Sequence, residues 1–133
     1  MLRRTLALAA LLFGAITLKE GGLVLFVDGA ARAAAGHYVP FVLIFNFAAG
    51  FFYILIGAGI LLRKRWAHPM ALLLAVSSGV VLALLGIQVL EGRAFEMRTV
   101  YAMTFRTAFW FLTAIFLHHT GVMQPAADKP VTQ

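Results

Sequence analysis

Residues 5–27 read TLALAALLFGAITLKEGGLVLFV. A run of this length needs no partner to cross about 30 Å of hydrocarbon as a helix, at about 1.5 Å rise per residue. Lys19 and Glu20 interrupt it side by side. A charge at such depth costs from about 3 to beyond 10 kcal/mol, depending on the estimate. The pair therefore points to a packed polar interior rather than a plain membrane anchor.

Three more apolar segments follow, roughly Val39 to Leu62, Pro69 to Leu90 and Thr99 to His119. Pro40 and Pro69 fall in the first turns of the second and third, where a missing N–H does no harm. Lipid leaves no partner for an open strand edge, so all four segments read as helices. The links between them are short: a polar, Ala/Gly-rich loop from Asp28 to Tyr38, a basic turn from Arg63 to His68, and a mixed-charge loop from Glu91 to Arg98. Short links favour antiparallel neighbours. The fold expected is all-α, an integral membrane four-helix up-down-up-down bundle. It forms one domain over residues 1–120, followed by a loose tail over 121–133. No internal repeat of the kind found in many transporters is visible.

Composition agrees. The chain has 133 residues, 62% hydrophobic and only 12% charged, with a mean hydropathy of +0.93. A soluble domain carries about 25% charged residues. The net charge of +6 is not a nucleic-acid signal, because the basic residues cluster at segment ends where they meet lipid headgroups. There is no cysteine, hence no disulfide and no thiolate metal site. The basic N-terminus resembles a signal peptide, but Ala31-Arg32-Ala33 lies too far beyond the apolar run to serve as its cleavage site. An uncleaved first helix is expected.

Arg3, Arg4, Arg63, Lys64, Arg65 and Lys129 would share one side of the membrane, against Arg32, Arg93 and Arg98 on the other. That excess places both termini in the cytoplasm of a bacterial inner membrane, with the first and third loops outside. Lys19, Glu20, Asn46, Gln88, Glu91 and Arg106 then all fall in the outer half. Glu20 and Arg106 are expected to pair at one depth, with Asn46 and Gln88 satisfying the remaining donors. Lys19, about 100° around the helix from Glu20, would snorkel to the headgroups.

Helical spacing groups Asn46, Gly50, Tyr53 and Gly57 on one face of the second segment. Thr99, Met103, Arg106, Trp110 and Thr113 share a face of the last, and Gly14, Thr17 and Gly21 flank the Glu20 side of the first. Such stripes are more often packing seams than cofactor boxes. Trp110 could form a cation–π contact with Arg106, whereas Tyr38, Trp66, Phe95 and Tyr101 suit interfacial belts. The segment EGRAFEMRTVY at residues 91–101 reads as a solvated loop. In a sharper reading it is a lid, with Glu96 and Arg98 extending the Glu20–Arg106 network.

His68, His118 and His119 fall at cytoplasmic ends, and His37 stands outside. Two histidines on different helices could ligate haem or a metal, but cationic helix ends near lipid phosphates is the plainer reading. No cofactor is expected; haem or quinone is the alternative. No phosphate loop, nucleophile elbow, zinc motif or CAAX box is present. In hydropathy the chain resembles small four-helix bacterial inner-membrane proteins of the DoxX-like kind, over most of its length and without a diagnostic motif. That resemblance implies an accessory role beside membrane oxidoreductases.

Two functions follow as expectations. The first is a non-catalytic accessory or assembly subunit of a membrane complex, with lipid, other subunits or a homo-dimer through the glycine face of the second segment as partners. The alternative is binding or transport of a small anionic or quinone-like ligand at the polar layer formed by Lys19, Glu20, Asn46, Tyr53, Gln88, Glu96, Arg98, Arg106 and Trp110. A proton-coupled transporter using Glu20 ranks third.

Overall fold

The computed structural model describes residues 1–27 and 29–120. The loose tail expected over 121–133 lies outside the described residues. The helices are α1 (Leu2–Phe26), α2 (Ala30–Ala35), α3 (Pro40–Leu61), α4 (Ala67–Leu90) and α5 (Met97–His119), with no strand among the described residues. All but α2 are long and apolar enough to cross a bilayer. Their outward faces carry Leu12, Phe51, Leu73, Phe105 and Leu112, all exposed. So large an apolar exterior suits lipid and not water. The chain is a multi-pass membrane protein built as a four-helix bundle.

One element was missed by sequence. Residues 30–35 read AARAAA and form the short helix α2, where a loop is expected. Alanine is the best helix former, and Gly29 and Gly36, both at positive φ, bracket the run. Arg32 in α2 folds back to donate from Nε to the Val24 carbonyl at 2.9 Å and from Nη2 to the Leu25 carbonyl at 2.9 Å. It thus caps carbonyls that the end of α1 leaves open. At the opposite end Arg3 reaches the Ile60 carbonyl in the last turn of α3 at 3.3 Å.

The tightest packing in the bundle joins α1 to α3. On α1 the buried stripe is Ala7, Ala10, Gly14, Thr17 and Gly21; on α3 it includes Gly50 and Gly57. The backbones approach so closely that a Cβ at Gly14 would lie 2.9 Å from the Gly50 carbonyl oxygen and 2.7 Å from Ile54. One at Gly57 would lie 3.0 Å from the Ala7 oxygen. Small residues recurring every seven positions let two antiparallel helices meet backbone to backbone. This seam also answers the expected homo-dimer: the glycine face of the second span is already filled by the first.

Two apolar clusters follow along the bundle axis. The larger contains Tyr53, Ile56, Ile60, Leu74, Trp110 and Leu117. The smaller contains Val39, Val42, Leu85 and Met103. The smaller lies toward the end of the bundle that carries α2 and the α4–α5 connection, called the upper end below. By contrast α1 and α5 are held apart by large side chains, chiefly Phe13 against Phe105 and Phe109 at ring separations of 5.8 and 5.7 Å.

Replacing Gly14 by Leu is expected to destabilise the bundle by about 1–3 kcal/mol through overpacking. Gly86→Ala, where an added Cβ meets nothing within 4 Å, serves as the matched control. Thermal unfolding in a neutral detergent measures both, and equal melting temperatures would remove the seam from its central place.

Candidate functional site: an arginine cleft at the upper end

Between the two apolar clusters, every spanning helix contributes a polar side chain. In chain order Asn46 of α3 falls between Val42 and Ala49, and Arg106 of α5 between Met103 and Trp110. Ser78 of α4 falls between Ala75 and Leu85. From α1 comes Thr17, 3% exposed. A polar layer at one depth therefore exists, but with a different membership from that expected. Ser78 and Thr107 belong to it, and their only sequence signal is a small hydroxyl in an apolar run. Gln88 does not belong: its Nε2 donates to the Ala94 carbonyl at 3.1 Å and ties down the α4–α5 connection.

The ion pair expected between Glu20 and Arg106 does not form. Glu20 and Lys19 are both exposed on the outside of α1, and no side-chain bond or ion pair engages either among the described residues. The reason is helical phase. Packing on α3 turns the smallest residues of α1 inward, and Glu20 lies about 100° around the helix from Gly21. Arg106 instead donates from Nη2 to Thr17 Oγ1 at 3.3 Å. Its Nε, buried, meets no acceptor. The cation–π partner is also corrected: the guanidinium lies 5.3 Å from the ring centre of Phe13, not over Trp110.

Trp110 is fully buried and packs on Tyr53 with ring centres 4.9 Å apart. Tyr53 stacks in turn on Phe13 at 5.3 Å. Tyr53 and Trp110 are thus parts of an aromatic box directly below the guanidinium. Neither the Tyr53 hydroxyl nor the Trp110 indole N–H completes a well-formed hydrogen bond.

Above Arg106 a cleft of about 140 Å³ opens toward the upper end, lined by Tyr38, Val42, Asn46, Arg98, Ala102 and Arg106 among others. Arg98, Ala102 and Arg106 follow one another at helical steps of four, so they share a face of α5. The small Ala102 leaves room between the two arginines. Asn46, 9% exposed, borders this space, and its buried Oδ1 has no hydrogen-bond partner among the described residues. Among the described residues no carboxylate lines the cleft. The arrangement brings the exposed Arg98, the partly buried Arg106 and an amide to one cleft, where an anion would find charge-assisted donors.

Glu96 belongs to a separate device over the mouth. Its carboxylate accepts the backbone N–H of His37 at 2.9 Å and lies 3.6 Å from the His37 ring nitrogen Nδ1. Gly36 makes this possible, since at φ 60 a Cβ there would fall 2.5 Å from Glu96 Oε1. The contact clasps the α2–α3 link to the start of α5. The lid reading therefore keeps Glu96 as a clasp and not as an extension of a Glu20–Arg106 network. Glu91 is likewise engaged locally, by Arg93 at 2.9 Å.

At the lower end the His68 and His118 rings lie 5.6 Å apart. Among the described residues no group of three or more His, Cys, Asp or Glu side chains is placed to hold a metal ion.

No family model, no curated protein and no solved structure matches this chain. The likeness to DoxX-like proteins thus stands on hydropathy alone, and function has to be argued from the site.

Two substitutions separate the observed network from the expected one. Glu20→Gln is expected to shift stability by no more than about 0.5 kcal/mol, as for an unengaged surface residue. Thr17→Val removes the oxygen that Arg106 uses and is expected to cost about 1 kcal/mol. Equilibrium unfolding of both variants checks this; the reverse order would restore the Glu20 pairing.

Proposed function

We propose that this multi-pass membrane protein binds a small anionic group, a carboxylate or a phosphate, in the cleft between Asn46, Arg98 and Arg106. The observation that carries the reading is the largely buried Arg106, which has no carboxylate partner among the described residues. A cation at that depth is expensive when uncompensated, and buried arginine in a membrane protein ordinarily pairs or lines a functional cavity. The volume sets the scale of what fits. Whole small-molecule ligands occupy pockets of about 300–1,000 Å³; a cleft of about 140 Å³ suits a head group.

Orientation follows from the basic residues. Both termini lie in the cytoplasm of a bacterial inner membrane, and the cleft opens on the outer side. This makes the anion one met from the periplasm or from the outer leaflet.

A second reading, an accessory subunit of a larger membrane complex, is favoured by Lys19 and Glu20. Two opposite charges on the outer side of α1, without partners among the described residues, would be satisfied by polar groups of a neighbouring subunit at the same depth. The DoxX-like resemblance points the same way. Native mass analysis of the protein extracted from its own membrane tests this reading. Recovery as a lone chain under every mild condition would count against it.

Arg106→Met separates a binding arginine from a structural one. Removing an uncompensated cation is expected to raise the melting temperature of the ligand-free protein, while abolishing its response to inorganic phosphate. In the parent protein, phosphate at ten times its Kd is expected to stabilise by about 1.4 kcal/mol. A variant that melts lower and still responds to phosphate would overturn the proposal.

A further inference from the structure

Directly below the arginine cleft, on the loose side of the bundle, runs an apolar groove of about 210 Å³. It lies between α1 and α5 and is lined by Ala9, Leu12, Phe13, Ile16, Phe105 and Phe109. Phe13, in its wall, is the ring over which the Arg106 guanidinium lies. On α5 the cleft uses positions 98 to 106, and the groove uses 105 and 109, the next turn down. Along the membrane normal the order is therefore a cationic cleft near the surface, Arg106, then an apolar groove toward the midplane.

That is the order of head and tail in the adjoining lipid leaflet. From these juxtaposed spaces we infer that the bound group is the head of an anionic amphiphile, which enters sideways from the bilayer between α1 and α5. Its tail lies in the groove on Phe13, Phe105 and Phe109. The inference rests on the anion-binding reading above and names the source of the anion as lipid and not solution.

Three features support a lateral route. The seam between α1 and α5 is bridged by aromatic rings and by one 3.3 Å hydrogen bond from Arg106 to Thr17, whereas α1 meets α3 backbone to backbone. Half of the groove's lining residues are exposed, with Leu12 at 63% and Phe105 at 63%. The clasp between Glu96 and His37 lies on the other approach, over the mouth at the upper end. Charge complementarity selects among lipids: two arginines, with no carboxylate among the described residues lining the cleft, favour a net anionic head over a zwitterionic one.

The test compares dodecyl phosphate with inorganic phosphate on the purified full chain in neutral detergent, read by native mass spectrometry and by thermal shift. The key variant is Ala9→Phe, which fills the groove and leaves the cleft untouched. It is expected to weaken dodecyl phosphate at least tenfold and leave inorganic phosphate unchanged. Leu12→Phe, at an exposed position on the same wall, repeats the test should Ala9→Phe fail to fold. Dodecyl phosphate binding unaffected by either filling would overturn the tail site while the head site stands. Absence of any phosphate response in the parent protein would instead overturn the anion reading beneath it. A dimer peak in the parent protein that Ala9→Phe abolishes would assign the groove to a second copy of the chain and overturn the inference.

Discussion

The close antiparallel contact of α1 with α3 is the constraint on which the rest of the architecture depends. Gly14 against Gly50 and Ala7 against Gly57 bring two backbones nearer than any larger side chain permits. In lipid, apolar area alone gives helices little reason to associate, because the tails are as apolar as leucine; close packing is what remains. The seam therefore chooses the rotation of α1. That choice turns Thr17 inward toward Arg106 and leaves Glu20 and Lys19 facing out. Packing over the whole helix outweighs the pairing of a single charge.

The same choice shapes the site. Since α1 lies tightly on α3, the bulk of Phe13, Phe105 and Phe109 holds α5 off, and the gap so made is where Arg106 sits. Its guanidinium touches an aromatic face, one hydroxyl and an open cleft, but no acid among the described residues. The polar layer of Thr17, Asn46, Ser78, Arg106 and Thr107 separates two apolar clusters and leaves several polar atoms without protein partners. Buried polar atoms left open in a membrane core are a functional signature more than a stabilising one. An arginine held this way is poised to favour whatever anion reaches it.

Much of the fold was legible in the residues. Four runs of apolar sequence, two prolines at helix starts and short charged links give a bundle of four spans with little ambiguity, because lipid admits so few alternatives. The buried stripes of α3 and α5 were legible too, since Asn46, Gly50, Tyr53 and Gly57, or Met103, Arg106 and Trp110, recur at helical steps. The helix α2 was not, because an alanine-rich run between glycines reads equally as a loop when it is too short to show a period. Gln88 and Glu96 were misplaced for a related reason: each found a backbone partner in a connection between helices, Ala94 six residues on and His37 far off in the chain, whose position depends on loop geometry.

The residues alone specify the set of membrane-spanning helices, their order, and the presence of charge at a depth where charge is costly. Hydropathy and length act locally, so the chain states them directly. Which charges face inward was decided only in the tertiary structure, since rotation of a helix about its axis is set by its neighbours. Glu20 and Arg106 have equal claims to the interior on hydropathy grounds. The glycines of α1 and α3 gave that place to Arg106 and turned Glu20 away from it.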